Sequence, residues 1–139
     1  MSRPNMGLAV VDASAVVALL IDRGALGEWV AAAVAKRRIA APWLMPFEAG
    51  NSLRRRELAG TIDASASTLA HDELLSMRVD LWPHDRLAER TWELRGALTY
   101  YDASYVALAE LLEAPLVTLD RRLARAPGPK CAILTPPED

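Results

Sequence analysis

Four acidic residues lie where strands are predicted to end or helices to begin, at widely separated points of the chain. Asp12 follows the apolar run LAVV, Asp102 follows LTYY and Asp120 follows LVTL, whereas Glu48 lies early in a predicted helix. In an open parallel sheet, ligands bind at the carboxyl ends of the strands, so acids delivered there can converge. Two unit charges about 4 Å apart repel by roughly 4 kcal/mol at an effective dielectric near 20, so such a cluster needs shared protons or a bound cation. We favour the cation.

The donor types indicate which cation it would be. All four acids offer hard oxygen ligands, and no cluster of cysteine and histidine accompanies them. That set suits Mg²⁺ or Mn²⁺ and argues against zinc. Ser14 and Thr118 each lie two residues from an acid, where they could hold a ligand or a water beside the ion, or else cap helices and strand ends. Asn51 lies at i+3 from Glu48 and projects from the same side of its helix.

Helix capping is the ordinary alternative for three of these acids. An aspartate at a helix start stabilises the helix by about 1 kcal/mol, and Asp12, Asp102 and Asp120 all precede helical patterns. Glu48 does not fit that explanation, because it lies within a helix that begins near Leu44, among apolar neighbours. An acid in that setting needs a polar partner, and a site formed by the other three acids would provide it.

Short apolar strands alternate with helical segments along the whole chain. Strands are predicted at 8–12, 39–43, 78–82, 115–119 and 131–135. Helices are predicted at 14–21, 25–37, 44–58, 63–77, 84–98, 102–113 and 121–126. The alternation predicts an α/β fold, in which a mostly parallel five-stranded sheet has helices on both faces. We expect a single domain over residues 1–139, with its core at about 8–134.

Composition restricts the class of protein and of partner. No apolar stretch approaches the roughly 20 residues that span a bilayer. The first residues, MSRPNMG, lead straight into a predicted strand, so we expect no secretory leader. Cys131 is the only cysteine, so a disulfide framework is excluded and the cytoplasm is the expected location. The net charge of −2 gives no overall attraction to nucleic acid, so a nucleic-acid partner would need local basic patches, present at 36–38, 54–56 and 121–125. Taken singly, each patch is better explained as a solvated helix face with ion-pair partners.

The acids and their neighbours together resemble a known family. The resemblance runs through four motifs: Asp12-Ala-Ser14-Ala15; Glu48-x-x-Asn51; Tyr101-Asp102-Ala103 with Tyr105, Ala107 and Ala109; and Thr118-Leu119-Asp120. In this order and at these separations they resemble PIN-domain ribonucleases, and most closely the VapC toxins of bacterial toxin–antitoxin pairs. The resemblance spans residues 8 to about 126, although residues 59–98 contribute nothing to it.

The resemblance implies a PIN-like three-layer fold and a metal-dependent endoribonuclease. It implies that one or two Mg²⁺ or Mn²⁺ ions are bound by Asp12, Glu48, Asp102 and Asp120. The polar residues expected to tune the site are Ser14, Asn51 and Thr118. Because water would attack the phosphorus, the products should carry 5′-phosphate and 3′-hydroxyl ends. Asp102 and Asp120 are alternative candidates for the proton acceptor, and Arg121 and Arg122 are candidates for holding the RNA backbone.

The resemblance also implies protein partners. VapC-like toxins form homodimers, and a cognate VapB-like antitoxin is expected to cover the active site. Apolar side chains that could form a docking groove occur early in the chain, at Trp29, Trp43, Leu44, Met45 and Phe47. For each of them alone, a place in the core is at least as reasonable.

Two other functions compete with the nuclease. A dehalogenase-like phosphatase would have a second aspartate at the position of Ser14, and a receiver domain would need a lysine where neither Lys36 nor Lys130 lies. The stronger alternative is a non-catalytic PIN-like module that binds RNA or protein. Four intact acids argue against it, because unused clustered carboxylates only cost electrostatic free energy.

Overall fold

The computed structural model describes residues 7–138, which form five strands and seven helices. In chain order these elements are β1 (Leu8–Val11), α1 (Ala13–Ile21), α2 (Ala25–Val34), β2 (Arg38–Pro42), α3 (Met45–Leu58), α4 (Ala64–Ser76), β3 (Val79–Trp82), α5 (Ala88–Glu93), α6 (Tyr100–Leu112), β4 (Leu116–Val117), α7 (Arg121–Arg125) and β5 (Ile133–Leu134). Residues 1–6, on which the expectation about a secretory leader rests, and residue 139 lie outside the described part. Within that part no helix combines the length and the apolarity needed to cross a membrane.

All five strands are parallel and lie in the order β3-β2-β1-β4-β5. Val10 at the centre of β1 pairs with Ala40 of β2 on one side and with Leu116 of β4 on the other. The first three strands extend the sheet in one direction, and the chain then crosses back to add β4 and β5 beyond β1. The predicted α/β class with a parallel five-stranded sheet is confirmed. The crevice between β1 and β4 is the point where the direction reverses, and this is where open α/β sheets bind ligands.

The central strand is buried because helices cover it. Val10 and Val11 have no exposed surface, and α6 contributes the fully buried Val106 and Leu108. Helix α6 packs on β1 and β2, while α1 packs against α2, α3 and α4. Such apolar runs are typical of parallel strands that are covered on both faces.

Three predicted helix boundaries are wrong. The helix predicted at 84–98 is a short 3₁₀ turn followed by α5, which ends at Glu93 and gives way to turns around Gly96, a residue with low helix propensity. The helix predicted at 25–37 ends at Val34, shortly before Lys36 adopts a left-handed φ of 63°. Helix α6 begins at Tyr100, two residues earlier than predicted, because the Thr99 hydroxyl caps it.

A partly buried ion-pair cluster holds α6 in place. Arg90 of α5 donates from Nε to Glu110 of α6 at 2.7 Å and from Nη2 to the Gly128 carbonyl at 2.9 Å. The other oxygen of Glu110 accepts from the Lys130 amide at 2.7 Å. Helix α5 and the segment at 128–130 are therefore both fixed to the helix that carries Asp102.

Helices α1 and α2 approach so closely that Gly27 has no room for a side chain. A Cβ at Gly27 would lie 1.9 Å from the carbonyl oxygen of Asp22 and 3.1 Å from that of Ala18, both backbone atoms. We therefore expect Gly27→Ala to lower the free energy of unfolding by about 3 kcal/mol, the upper range for overpacking a fitted core. Urea denaturation of the purified variant measures this directly.

Gly50→Ala is the matched control, since Gly50 lies inside α3 and a Cβ added there would meet nothing within 4 Å. That variant should be stabilised by up to about 1 kcal/mol, because alanine loses less backbone entropy in a helix. Equal stability of the two variants would contradict the close helix contact.

Candidate active site

The four predicted acids lie around one cavity of about 330 Å³, which we call the acidic cleft. Asp12 follows β1 and Asp120 follows β4, so these two flank the crevice where the sheet reverses direction. Glu48 lies in the first turn of α3 and Asp102 in the first turn of α6. Four distant segments thus bring carboxylates to the same end of the sheet.

Asp12 is held by hydrogen bonds on both carboxylate oxygens. Its Oδ1 accepts from the Ser14 hydroxyl at 2.6 Å and from the Ala15 amide at 3.0 Å, which caps α1. Its Oδ2 accepts from the Thr118 hydroxyl at 2.5 Å. Asp12 and Thr118 are both buried, so the orientation of this carboxylate is fixed.

The same two hydroxyls also bind the segment after β4. The Asp120 amide donates to Thr118 Oγ1 at 3.0 Å, and the Leu119 amide donates to Ser14 Oγ at 3.2 Å. Ser14 and Thr118, which are predicted from sequence to lie beside the site, therefore both contact Asp12 and position the backbone at Asp120.

Glu48 has one buried partner, Tyr105. The phenol of Tyr105, one turn after Asp102 on α6, donates to Glu48 Oε1 at 2.7 Å. Burial beside the charges of Glu48 and Asp12 raises the pKa of Tyr105, so the phenol stays protonated and acts as a donor. Sequence reasoning missed this contact, although Tyr105 belongs to the Asp102 motif. Its spacing of i+3 from Asp102 places both side chains on one side of α6.

Burial and mutual repulsion make three of the acids hard to ionise. Burial is the main cause that raises the pKa of Asp12, Glu48 and Asp102, and the charges of neighbouring acids raise each further. For Asp12 the hydrogen bonds from Ser14 and Thr118 oppose that shift. The pKa of Asp120 is lowered instead, chiefly by its hydrogen bond with the Arg122 guanidinium.

A divalent cation fits this donor set in chemistry and in charge. Carboxylate oxygens are the ligands that Mg²⁺ and Mn²⁺ prefer, and a cation would relieve the repulsion that raises the three pKa values. Within residues 7–138 no group of three acidic, histidine or cysteine side chains already has the spacing of a finished metal site. Binding would therefore require some of the other carboxylates to rotate towards Asp12, which its hydrogen bonds hold in place.

Four predicted site residues do not line the acidic cleft, and one of them is Thr118, which is buried behind it and bonds Asp12. Arg122 pairs with Asp120 through two hydrogen bonds of 2.8 and 3.0 Å, and Arg121 donates to the carbonyls of Pro136 and Pro137. Asn51 is exposed and also lies outside the lining.

Ser52, Arg55 and Arg56 of α3 line the acidic cleft instead. Ser52 and Arg55 lie four and seven residues after Glu48, and this helical spacing could have identified them on the same helix face.

Comparison with known proteins shows which proteins this chain is similar to. The PIN domain profile matches residues 9–129. Ribonuclease VapC1 of Mycobacterium tuberculosis is 43% identical over 129 residues, which cover 92% of this chain and 97% of that protein. The crystal structure of PAE2754 from Pyrobaculum aerophilum is 31% identical, with a TM-score of 0.63, and the match covers 92% of this chain and 86% of that one. VapBC2 from Rickettsia felis, solved bound to a DNA fragment from its promoter, shares the fold at 14% identity with a TM-score of 0.68, over 92% and 98% of the two chains.

The crowding of acids makes a prediction about Asp102. Because burial and the charge of Asp120 raise its pKa, the ionised form opposes folding at neutral pH, so Asp102→Asn should raise both the free energy of unfolding and the melting temperature in EDTA. The advantage should shrink as pH falls, because the parent carboxyl then takes up its proton. Mg²⁺ should also raise the melting temperature of Asp102→Asn by less than it raises that of the parent. Thermal melts with and without Mg²⁺ measure both effects.

Glu89→Gln is the control, since Glu89 also lies in the first turn of a helix but outside the lining of the acidic cleft. It should keep the full Mg²⁺ effect. A lower melting point for Asp102→Asn in EDTA, with its Mg²⁺ shift intact, would contradict the electrostatic origin of the effect.

The hydrogen bond between Tyr105 and Glu48 makes a second prediction. Tyr105→Phe keeps the buried ring and removes the donor, so it should lower the free energy of unfolding by about 1–2 kcal/mol, as expected for a partly buried hydrogen bond to a carboxylate. Tyr101→Phe, which alters an exposed phenol one turn earlier, should leave stability unchanged. Urea denaturation compares the two, and equal effects would show that the Tyr105 hydroxyl contributes nothing.

Proposed function

The chain belongs to the PIN-domain family and within it to the VapC ribonucleases, and we propose that it is a divalent-metal-dependent endoribonuclease, the toxin of a two-protein toxin–antitoxin pair. The identity of 43% extends over nearly the whole of both chains, so it includes every segment that contributes to the acidic cleft. The endoribonuclease activity follows from this relationship. The metal and the roles of individual residues rest on the geometry of the acidic cleft.

One observation supports the assignment of the site most strongly. Asp12, Glu48, Asp102 and Asp120 come from four separate segments and line a single cleft, although gathering them raises the pKa of three carboxyls. A protein without a use for the cluster would gain stability by losing it. We propose that these four carboxylates hold the cation.

When bound, Mg²⁺ or Mn²⁺ would neutralise charge on the phosphodiester and acidify a water near the scissile phosphorus. The chain's own contribution is orientation. Thr118 and Ser14 fix Asp12, and Tyr105 directs one oxygen of Glu48, so neither carboxylate has to be ordered when substrate arrives.

The reaction we propose is hydrolysis by water. The water oxygen bonds to phosphorus as the bond to the 3′ oxygen breaks, which leaves 5′-phosphate and 3′-hydroxyl ends. Asp102 suits the role of proton acceptor better than Asp120, because Asp120 is already paired with Arg122 through two hydrogen bonds. Arg122 would also bring a positive charge beside the substrate once it leaves Asp120.

Protein partners are proposed on the same family basis. We propose a homodimer and a cognate VapB-like antitoxin, both in the cytoplasm, where RNA is the substrate. Exposed aromatic surface is available close to Glu48 and Asp102 along the chain: Phe47 is 81%, Tyr101 63% and Trp43 59% exposed. Of the other apolar residues considered for docking, Met45 is buried in the core, and Leu44 and Trp29 are half-buried.

The decisive variants are Asp12→Asn and its control Asp63→Asn. Both aspartates cap a helix with nearly the same backbone conformation, but Asp63 precedes α4, outside the acidic cleft. Purified, antitoxin-free protein should cut a cellular RNA pool with Mg²⁺ or Mn²⁺ but not with EDTA, and the products should carry 5′-phosphates. Asp12→Asn should lose at least about 100-fold in rate, as for loss of a metal-site residue, while Asp63→Asn keeps its activity.

Cleavage by Asp12→Asn at the parent rate would refute the proposed site. RNA binding without cleavage, together with no response to either metal, would favour the non-catalytic module.

A further inference from the structure

A basic edge faces the four acids across the acidic cleft. Ser52, Arg55 and Arg56 line the cavity from the second half of α3, the helix that carries Glu48 in its first turn. Spacings of four, seven and eight residues from Glu48 keep them on one side of the helix. From Glu48 to Arg55 the helix rises by about 10 Å. The basic edge therefore lies beyond the acids and does not overlap them.

The two arginines are available to a ligand. Both are exposed, and no ion pair within residues 7–138 involves either of them. The hydrogen bond between Arg56 Nε and Ser52 Oγ is long, at 3.4 Å. Arg121 and Arg122, the basic residues favoured from sequence, are already bound to backbone carbonyls and to Asp120.

The C-terminal turn of a helix favours any cation, so the position of these arginines needs a closer argument. Arg54 is the adjacent residue, just before that last turn, and it is exposed too, but it does not line the cavity. What distinguishes Arg55 and Arg56 is that they face the acidic cleft. A polyanion entering a cleft of four carboxylates needs compensating positive charge along its path.

We propose that Ser52, Arg55 and Arg56 form a subsite for an RNA phosphate next to the scissile one, so that the strand lies along α3 from Glu48 towards the end of the helix. The subsite rests on the proposed nuclease function and assigns the direction of the substrate within it. Guanidinium groups bind phosphate through paired hydrogen bonds, and the Ser52 hydroxyl adds a third donor. The contact is the same before and during reaction, so it contributes to RNA binding and not to the chemical step.

The test compares Arg55→Gln and Arg56→Gln with Arg54→Gln, which removes the same charge from the adjacent position. Binding of a fluorescein-labelled single-stranded oligouridylate of about 12 nucleotides is measured in EDTA by anisotropy. Removing one phosphate contact should reduce the slope of log affinity against log salt by about 0.7 between about 50 and 200 mM salt. Arg55→Gln and Arg56→Gln should show that reduction and weaker binding, Arg54→Gln should not, and Arg55→Lys should restore the slope.

Cleavage of the cellular RNA pool with Mg²⁺ separates this proposal from the nuclease itself. Arg55→Gln should raise KM several-fold and leave kcat near the parent value. Equal losses of affinity in all three glutamine variants would show that only net charge matters and would overturn the subsite. The subsite would also be overturned if Arg55→Gln and Arg56→Gln left the salt slope and KM unchanged while the parent still cleaves RNA. If the parent neither binds nor cleaves RNA, the proposed function fails and the subsite fails with it.

Discussion

The hydrogen bond from Thr118 to the buried carboxylate of Asp12 joins the two strands between which the sheet reverses direction. Asp12 follows β1 and Thr118 follows β4, so the contact holds the mouth of the crevice at a fixed width. A hydrogen bond to a charged group is worth about 1.5–3 kcal/mol, more than a neutral one. The Asp120 amide bonds the same hydroxyl, so the position of a second acid depends on the first.

The remaining acids are placed by helices that pack on this strand pair. Helix α6 lies on β1 and β2 and brings Asp102 and Tyr105, and Tyr105 in turn orients Glu48 on α3. Burial and neighbouring charges destabilise the ionised carboxylates of Asp12 and Glu48, and these hydrogen bonds stabilise them. The hydrogen bonds offset part of the cost of gathering negative charge, and a cation would offset the rest. The acidic cluster therefore lowers the stability of the fold, a cost that is common at active sites.

Much of this arrangement can be predicted from the sequence, because strand ends carry a strong signal. The runs LAVV and LVTL contain buried strands, and rules for parallel sheets place Asp12 and Asp120 at one edge. The same pattern correctly places Asp102 near a helix start. That position alone would also suit a residue that caps the helix, but in the structure the cap is Thr99. The sequence pattern does not predict which side chains pair with one another at the surface. Nothing in the order Asp120-Arg121-Arg122 shows that Arg122 folds back on Asp120, whereas Arg55 and Arg56 remain facing the cleft.

If the four carboxylates hold one common cation site, anomalous diffraction from crystals soaked in Mn²⁺ will show it. We expect a peak in the acidic cleft within about 2.0–2.2 Å of oxygens from Asp12 and at least one other of the four acids, and a loss of that peak in Asp102→Asn crystals. A well-diffracting crystal with no Mn²⁺ in the acidic cleft, or with Mn²⁺ bound only elsewhere, would contradict the common site.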